Sequence, residues 1–198
     1  MSKAVLLSGG IDSSAVLAWV RPDIAVVVDY GQAPAKGEIR SATAVANALN
    51  IPIHVIRANC SEVGSGLLLG QETPLKTAPT IEWWPFRNQL LITLVGAWSL
   101  KFGFNELITG SVRGDDRHTD GSIAFYNSID QLMSIQDGCI HVAAPAINFS
   151  SADLVRISGI GREILGWTHS CHRAEWACGT CPGCLKHAEV MSQLEKKP

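Results

Sequence analysis

Short apolar runs along the chain alternate with longer stretches in which apolar residues recur at helical spacing. Five of the runs are rich in Val, Ile, Leu and Ala and predict strands, at residues 3–7, 24–29, 53–57, 106–109 and 141–144. Because helix-like stretches separate these runs, the pattern is typical of a parallel sheet with crossover helices on both faces. The sequence therefore predicts an α/β fold.

Three stretches carry the clearest helical signals. Residues 37–49 are rich in alanine and are followed by a proline at position 52, which indicates a helix end. In residues 87–102, apolar side chains recur at i, i+4 and i+8, and a further helix is predicted from residue 150 or 151 towards 165. Residues 60–80 predict a long loop or a short helix over the sheet edge, and residues 110–125 predict a long polar loop. Such loops are uncommon in compact domains unless they serve a function.

A Ser-Gly-Gly-x-Asp-Ser motif lies between the first predicted strand and a helix-like stretch. A glycine turn that leads from a strand into a helix directs backbone N–H groups at an anion, and serine hydroxyls add further donors. A carboxylate at Asp12 would repel a phosphate unless a cation lay between them, so Asp12 predicts a Mg²⁺ ion that accompanies a nucleotide. The alternative is an ordinary glycine turn with a Ser/Asp helix cap. The residues predicted to hold the phosphates are Ser8, Gly9, Gly10, Asp12, Ser13 and Ser14.

Polar residues also follow the second and fourth predicted strands. In an open parallel sheet the ligand lies beyond the carboxyl ends of the strands, so these residues are expected close to the glycine motif. The candidates for a nucleotide or substrate pocket at this edge are Asp29, Tyr30, Gly31, Gln32, Gly110 and Ser111.

The composition limits the class of protein. The 198 residues are 46% apolar and only 17% charged, with a net charge of −2, which argues against a large nucleic-acid surface. The N-terminus lacks the apolar core of a signal peptide, and the apolar runs are shorter than the ~20 residues of a membrane span. We therefore expect a soluble, cytoplasmic protein without a membrane partner.

Four of the six cysteines lie close together near the C-terminus, in the pattern Cys-x6-Cys-x2-Cys-x2-Cys. Four thiolates suit the tetrahedral preference of Zn²⁺, and a site closed by four of them is structural. An iron–sulfur cluster is the alternative, but nothing else in the sequence indicates electron transfer. The predicted ligands are Cys171, Cys178, Cys181 and Cys184. Three histidines could substitute for one ligand, although surface exposure is the simpler expectation for each of them: His169, His172 and His187.

Four motifs occur in order along the chain: Ser-Gly-Gly-x-Asp-Ser, Asp-Tyr-Gly-Gln after the second strand, Pro-x-Arg-Asn before a long helix, and the four cysteines. This order resembles the QueC family of 7-cyano-7-deazaguanine synthases, within the PP-loop ATP pyrophosphatases. The resemblance implies an adenine-nucleotide alpha hydrolase-like (Rossmann-like, HUP) three-layer fold with about five parallel strands. It also implies an ATP-binding domain over residues 1–165 and a zinc-binding tail over residues 166–198.

The resemblance implies ATP, Mg²⁺ and structural Zn²⁺ as cofactors. The glycine motif would bind the ATP phosphates and magnesium, and Tyr30, Gly31 and Gln32 would lie beside the nucleotide or substrate. Arg87 and Asn88, from Pro-x-Arg-Asn, would line the pocket between them. Lys36 is a candidate to replace a basic group that the family carries after Gly-Gln. Asp12, Arg87 and Lys36 are the catalytic candidates.

Members of this family activate 7-carboxy-7-deazaguanine with ATP, and ammonia then gives the amide and finally the nitrile, with release of AMP and pyrophosphate. The chain departs from the family at residues 33–36, at Phe86 and at residues 115–122. The departures at residues 33–36 and 115–122 point to an alternative, a paralogue that adenylates a deazapurine or another carboxylate and joins it to an amine, including an amine on a protein in a bacterial defence or modification system.

Two other classes of protein are disfavoured. A tRNA-thiolating PP-loop enzyme conflicts with the acidic charge balance, and an inactive nucleotide-binding module conflicts with the intact glycine motif. The expected partners are a small carboxylate with ammonia, or an amine-bearing partner in the alternative. The sequence does not decide between a monomer and a homodimer.

Overall fold

The computed structural model describes residues 2–114 and 118–195. Across these residues the chain forms a five-stranded sheet with the order β3-β2-β1-β4-β5, in which all neighbouring strands run parallel. The strands are β1 (Lys3–Leu6), β2 (Ile24–Asp29), β3 (Ile53–Arg57), β4 (Glu106–Ile108) and β5 (His141–Ala143). The predicted α/β class is confirmed, and each predicted strand ends within one residue of the observed one. Since the strand order reverses between β1 and β4, the sheet has its topological switch point there.

Helices cover both faces of the sheet and give it three layers. They are α1 (Ile11–Val20), α2 (Ala35–Ala48), α3 (Arg87–Leu100), α4 (Ile123–Ser134), α5 (Ser151–Ser158), α6 (Arg162–Leu165) and α7 (Pro182–Glu195). Short 3-10 helices occupy Ser61–Val63, Leu67–Leu69 and Thr119–Gly121. On one face α1, α2, α5 and α7 pack over the sheet, and on the other face α3 and α4 do so.

Two parts of the predicted helix pattern are wrong or incomplete. The single helix expected up to residue 165 is two helices, because Gly159 adopts a left-handed conformation (φ 66°) and ends α5. The sequence does not predict α4 or α7, since their apolar residues are interrupted by polar ones. Ser122 caps α4 by accepting a hydrogen bond from the backbone N–H of Phe125.

The C-terminal tail packs against the same core as the preceding helices and strands. Val190 of α7 is buried among residues of α1 and α5, including Leu17 and Leu154. Gly37 of α2 lies so close to the backbone of Glu175 that a Cβ atom would collide with it. The tail therefore lies against the sheet-covering helices. Among the described residues, none of the helices has both the length and the apolar character needed to span a bilayer.

Candidate active site

A cavity of about 280 Å³ lies at the carboxyl ends of the strands, beside the switch point between β1 and β4. The turn from β1 into α1, residues 8–14, forms one side of it and is called the glycine loop below. The opposite side comes from the segment after β2 and from the start of α3. Nine of the predicted site residues line this cavity: Ser8, Gly10, Asp12, Ser13, Tyr30, Arg87, Asn88, Gly110 and Ser111.

The glycine loop is fixed by contacts that reach far along the chain. The carbonyl of Gly9 accepts hydrogen bonds from the Ser41 hydroxyl and from the His169 backbone N–H, both at 2.8 Å. Gly9 has φ +77° and no room for a Cβ atom against the Glu38 carbonyl, so this position requires glycine. Within the described part of the chain no side chain caps the N-terminus of α1, and its first N–H groups therefore favour an anion in the cavity.

Asp12 lies in the first turn of α1, and its two carboxylate oxygens have different surroundings. Its Oδ2 accepts a hydrogen bond from Lys186 Nζ of α7 at 2.9 Å. Its Oδ1 is buried and has no hydrogen-bond partner among the described residues. A buried carboxylate oxygen left without a donor beside an anion site has the chemistry of a magnesium ligand, so the residues present fit a nucleotide-bound Mg²⁺.

Tyr30 and Arg87 meet on the opposite side of the cavity. The Tyr30 ring packs edge-to-face on the buried Trp84, with centroids 4.9 Å apart, so Trp84 is part of the core. Burial and the nearby Glu38 carboxylate raise the pKa of Tyr30 above its usual range, while a hydrogen bond with the Arg87 guanidinium opposes this. The Tyr30 hydroxyl is therefore protonated at neutral pH.

Glu38, in the first turn of α2, lines the same part of the cavity. The Gln32 side chain holds it, since Nε2 of Gln32 donates to Glu38 Oε2 at 2.7 Å. Burial raises the pKa of Glu38 to about 7, although Gln32 and Arg87 act in the opposite direction and Asp29 adds to the rise. A carboxylate with this pKa can take and release a proton near neutral pH.

The segment between β4 and α4 completes this side. The backbone N–H of Asn88 donates to Asp120 Oδ2 at 3.2 Å, and the Asn88 amide donates to the Asp120 carbonyl at 2.9 Å, which ties the segment to the start of α3. His118, Asp120 and Gly121 line the cavity, and His118 Nε2 lies 3.7 Å from the buried carboxylate of Glu82. The residues of this segment that lie outside the described part of the chain are Asp115, Asp116 and Arg117.

Six of the predicted site residues are placed elsewhere. Gly9, Ser14 and Gln32 lie behind the cavity wall and support it. Asp29 and Gly31 line a second, shallower concavity beside β3, where the Gly31 N–H donates to Asp29 Oδ1 at 3.2 Å. Lys36 is exposed on α2 and is not among the residues that line the main cavity.

Sequence reasoning missed Glu38, Glu82 and Lys186 among the charged residues of the cavity; Glu38 and Lys186 lie next to predicted site residues. Glu38 follows Gln32 by six residues, and a carboxylate in the first turn of a helix that starts beside the strand ends was an available signal. Lys186 follows the last cysteine of the cluster by two residues, so any metal held there fixes its position. Neither residue belongs to a motif with an evident chemistry of its own.

The four clustered cysteines form a compact set of sulfur atoms. All four Sγ atoms lie within 4.8 Å of one another, with 3.9 Å between Cys171 and Cys181 and 4.0 Å between Cys178 and Cys184. Four sulfurs at a tetrahedral ion with ≈ 2.3 Å bonds would lie about 3.8 Å apart. In an iron–sulfur cluster the thiolates bind different irons, which separates them further. The arrangement fits a single tetrahedral ion.

Backbone N–H groups point at these sulfurs. Cys178 Sγ accepts from the Cys181 N–H at 3.4 Å and from the Thr180 hydroxyl at 3.6 Å, and hydrogen bonds from Thr180 and Cys181 lower the pKa of Cys178 to about 6. Cys171 Sγ accepts from the Arg173 N–H at 3.4 Å. Hydrogen bonds of this kind favour the thiolate, the form in which cysteine binds metal.

The histidines near the cysteines belong to the cavity. His169, His172 and His187 are half-buried and line it, so the expected surface exposure is wrong for them. His187 Nδ1 lies 3.1 Å from the Ser170 hydroxyl, and burial lowers the pKa values of His169 and His187. The set of possible metal ligands found among the described residues contains cysteines alone.

Comparisons with known proteins agree with this geometry. The family model described as queuosine biosynthesis protein QueC matches residues 2–195. A 7-cyano-7-deazaguanine synthase of Thermoplasma volcanium is 28% identical, over 91% of this chain and 82% of that protein. A protein of the same name from Methanosarcina barkeri is 27% identical, over 100% of this chain and 96% of its own length.

Among solved structures, the U34-tRNA thiolase NcsA from Methanococcus maripaludis with its 4Fe-4S cluster superposes with a TM-score of 0.54 at 15% identity. The match covers 98% of this chain but only 65% of the thiolase. At that identity the likeness supports the PP-loop fold alone. Since the family model spans nearly the whole chain, the protein belongs to the QueC family and is an enzyme of the ATP-dependent ligase type.

Proposed function

We propose that the protein converts 7-carboxy-7-deazaguanine into 7-cyano-7-deazaguanine, using ATP and ammonia. One observation carries the proposal. A single cavity joins an anion-binding glycine loop to a second side bearing Arg87, Asn88 and Glu38, so a nucleotide and an acceptor can meet there. The name shared by the relatives from Thermoplasma volcanium and Methanosarcina barkeri supports the choice of substrate.

The first step of this reaction activates the substrate carboxylate. A carboxylate oxygen attacks the α-phosphorus of ATP, pyrophosphate leaves, and an acyl adenylate remains. The N–H groups at the start of α1 would bind the phosphates, and Lys186 lies within reach of the same place through its contact with Asp12. Asp12 would hold Mg²⁺, which supplies positive charge to the departing phosphates. Arg87 can hold a carboxylate or phosphate through two parallel hydrogen bonds.

The remaining steps need alignment more than a protein nucleophile. Ammonia adds to the acyl carbon, and AMP leaves to give the amide. The amide oxygen is then adenylated by a second ATP, and loss of AMP leaves the nitrile. Because both adenylations use the same phosphate site, the acceptor has to stay beside Arg87 while the nucleotide is exchanged.

The four clustered cysteines would hold a structural Zn²⁺ ion in this proposal. A site closed by four thiolates stabilises the fold around it and leaves no position open for substrate. Since α7 starts directly after Cys181 and carries Lys186, this ion would also fix the part of the tail that faces Asp12. We place the enzyme in the cytoplasm, where thiols stay reduced.

Product analysis tests the proposed reaction. The protein is incubated with ATP, Mg²⁺, ammonium and 7-carboxy-7-deazaguanine, and the products are identified by mass spectrometry. We expect an amide, then a nitrile that has lost one further water, with two AMP formed for each nitrile. Absence of carboxylate-dependent AMP formation would refute the proposal.

An amine-joining paralogue is the second candidate function. It is favoured by the segment before α4, which differs from the family pattern and contributes His118 and Asp120 to the acceptor side of the cavity. In that case the adenylate forms from ATP and the carboxylate but accumulates, and ammonium does not increase turnover. The same incubation without and with ammonium separates the two candidates.

A further inference from the structure

Glu38 is a carboxylate of the cavity that the adenylation chemistry does not use. It lies in the first turn of α2, on the side of the cavity that carries Tyr30 and Arg87. We propose that Glu38 is the general base for the nitrogen steps, taking the proton from the incoming ammonium ion. This inference rests on the proposed function, since it concerns the acceptor half of the same reaction.

A neutral amide holds Glu38 in place, and both ends of that amide are fixed. Gln32 is buried; its Oε1 accepts from the Tyr30 backbone N–H at 2.8 Å, and its Nε2 donates to the Val28 carbonyl at 3.0 Å as well as to Glu38. One carboxylate oxygen of Glu38 is therefore positioned by a donor that carries no charge. This hydrogen bond favours the carboxylate form and lowers the pKa of Glu38, but burial raises that pKa more.

The charged and titratable groups around Glu38 balance so that it can act at neutral pH. At the end of β2 stand Asp29 and Tyr30, and from α3 Arg87 faces it. Asp12, His169 and Lys186 line the other side of the cavity. Asp12 is paired there with Lys186. Burial and Asp29 raise the pKa of Glu38, and the Gln32 hydrogen bond and Arg87 lower it, with the result at about 7. General bases work best with a pKa near the working pH.

The proton balance identifies what such a base has to do. Ammonium has no lone pair, so it must lose one proton before nitrogen can attack the acyl carbon. As the C–N bond forms and the C–O bond to AMP breaks, AMP leaves with the electron pair and nitrogen loses a second proton. In the second adenylation the amide oxygen bonds to the α-phosphorus of ATP and pyrophosphate leaves. The C–O bond then breaks, AMP leaves with the electron pair, the nitrogen loses its two remaining protons, and the nitrile forms. Glu38 takes each proton in turn and returns it to solvent.

The test compares two nucleophiles in one variant. Hydroxylamine is a much weaker base than ammonia and carries a free lone pair at neutral pH, so it needs no deprotonation before attack. Its adduct is also more acidic than the ammonia adduct and can release the second proton directly to water. In Glu38→Gln we expect amide formation from ammonium to fall about 100-fold, as for loss of a general base. Hydroxamate formation from hydroxylamine is expected to stay within about threefold of the unmodified enzyme, far from the 10²–10⁴-fold scale of general-base loss. Glu62→Gln, at an exposed carboxylate outside the cavity, is the matched control and leaves both products unchanged.

A second variant separates proton transfer from a structural role. Glu38→Asp keeps a carboxylate on a shorter side chain, so its rate of amide formation should be higher than that of Glu38→Gln. Its rate should also still rise with pH, whereas the rate of Glu38→Gln should not. An equal loss with both nucleophiles, or an unchanged amide rate in Glu38→Gln, would overturn the inference. Failure of the unmodified enzyme to form either product would instead reject the proposed function, so the two failures are distinguishable.

Discussion

The two sides of the cavity are built in different ways. The proposed phosphate side centres on the glycine loop, seven consecutive residues, and a facing strip of the C-terminal tail that includes His169 and Lys186. On the proposed acceptor side, Glu38, Arg87 and Asp120 come from three separate segments of the chain and meet only in the folded protein. The core of the first side is encoded by neighbouring residues, whereas the second side depends wholly on tertiary assembly.

Loss of the metal ion from the four clustered cysteines should have the largest effect on stability. It should also impair the proposed phosphate side of the cavity. In Cys178→Ser we expect loss of about one zinc per chain and a drop in unfolding free energy of roughly 4–5 kcal/mol, because metal binding and local folding are coupled. Pyrophosphate release should fall with it, since Lys186 is carried by the helix that begins beside the cluster. Metal analysis, urea unfolding and a pyrophosphate assay measure these quantities.

Cys139→Ser, at an exposed cysteine away from the cluster, serves as the matched control and should keep metal and stability. A metal-free protein of full stability would contradict the prediction. Visible absorption typical of an iron–sulfur protein would show that the four cysteines hold an iron–sulfur cluster instead of zinc.

Asp12→Ala tests the phosphate side alone. Removing the carboxylate that would hold magnesium should lower pyrophosphate release about 10²–10³-fold, as for loss of one major electrostatic contact in a transition state. The fold should persist, because Asp12 lies on a turn at the cavity surface and its paired oxygen contacts a single lysine of the tail. Asp137→Ala, at an exposed turn, is the control, and circular dichroism verifies folding in both variants. Unchanged turnover would remove Asp12 from the phosphate site.

Arg87→Lys probes the acceptor side with charge conserved. Lysine cannot reproduce the planar, two-bond grip of a guanidinium, so adenylation should fall about 10–100-fold while the melting temperature stays nearly constant. Arg156→Lys on α5, an exposed arginine that pairs with Asp153, is the control. If Arg87→Lys lowers only the melting temperature, Arg87 supports α3 and Tyr30 rather than the substrate.

In its effect on stability, Glu38→Gln is expected to cause only a small change, and that change is a gain rather than a loss. The folded protein raises the pKa of Glu38 from 4.5 to about 7, so the folded state binds this proton more tightly than the unfolded chain does. Stability therefore falls as pH rises from about 4.5 to 7, and the cost is fully present above that window.

Glutamine carries no charge to bury, so Glu38→Gln should be more stable than the unmodified protein by about 1–2 kcal/mol near pH 8 and equal to it near pH 4. Urea unfolding at both pH values measures the difference, with Glu62→Gln as the reference. A variant less stable at pH 8 would show that the Glu38 charge stabilises the fold.

The sequence was sufficient to predict those features that depend on residues close together along the chain. The five strands follow from apolar runs, and the glycine loop and the cysteines could be recognised because their chemistry depends on short spacing. The break at Gly159 was visible only as one glycine within an otherwise helical stretch, and a glycine inside a helix is tolerated often enough to give no firm signal.

The rest of the site depends on tertiary contacts that spacing does not encode. Gln32 was predicted to touch nucleotide or substrate, and its role there stays untested; the fold makes it the support of Glu38. Lys186 reaches Asp12 across 174 positions of sequence, and the half-buried histidines of the tail face the cavity for the same reason. Such pairs become apparent only when the order of the strands and the docking of α7 are known.

The contact between Gly9 and His169 has a consequence for how the protein is made. The Gly9 carbonyl is translated 160 positions before the His169 N–H that donates to it. At about 5–20 residues per second the nascent glycine loop waits roughly 8–32 s for that partner. Under the proposed function, a growing chain therefore cannot hold the ATP phosphates in a completed loop until residue 169 has been translated.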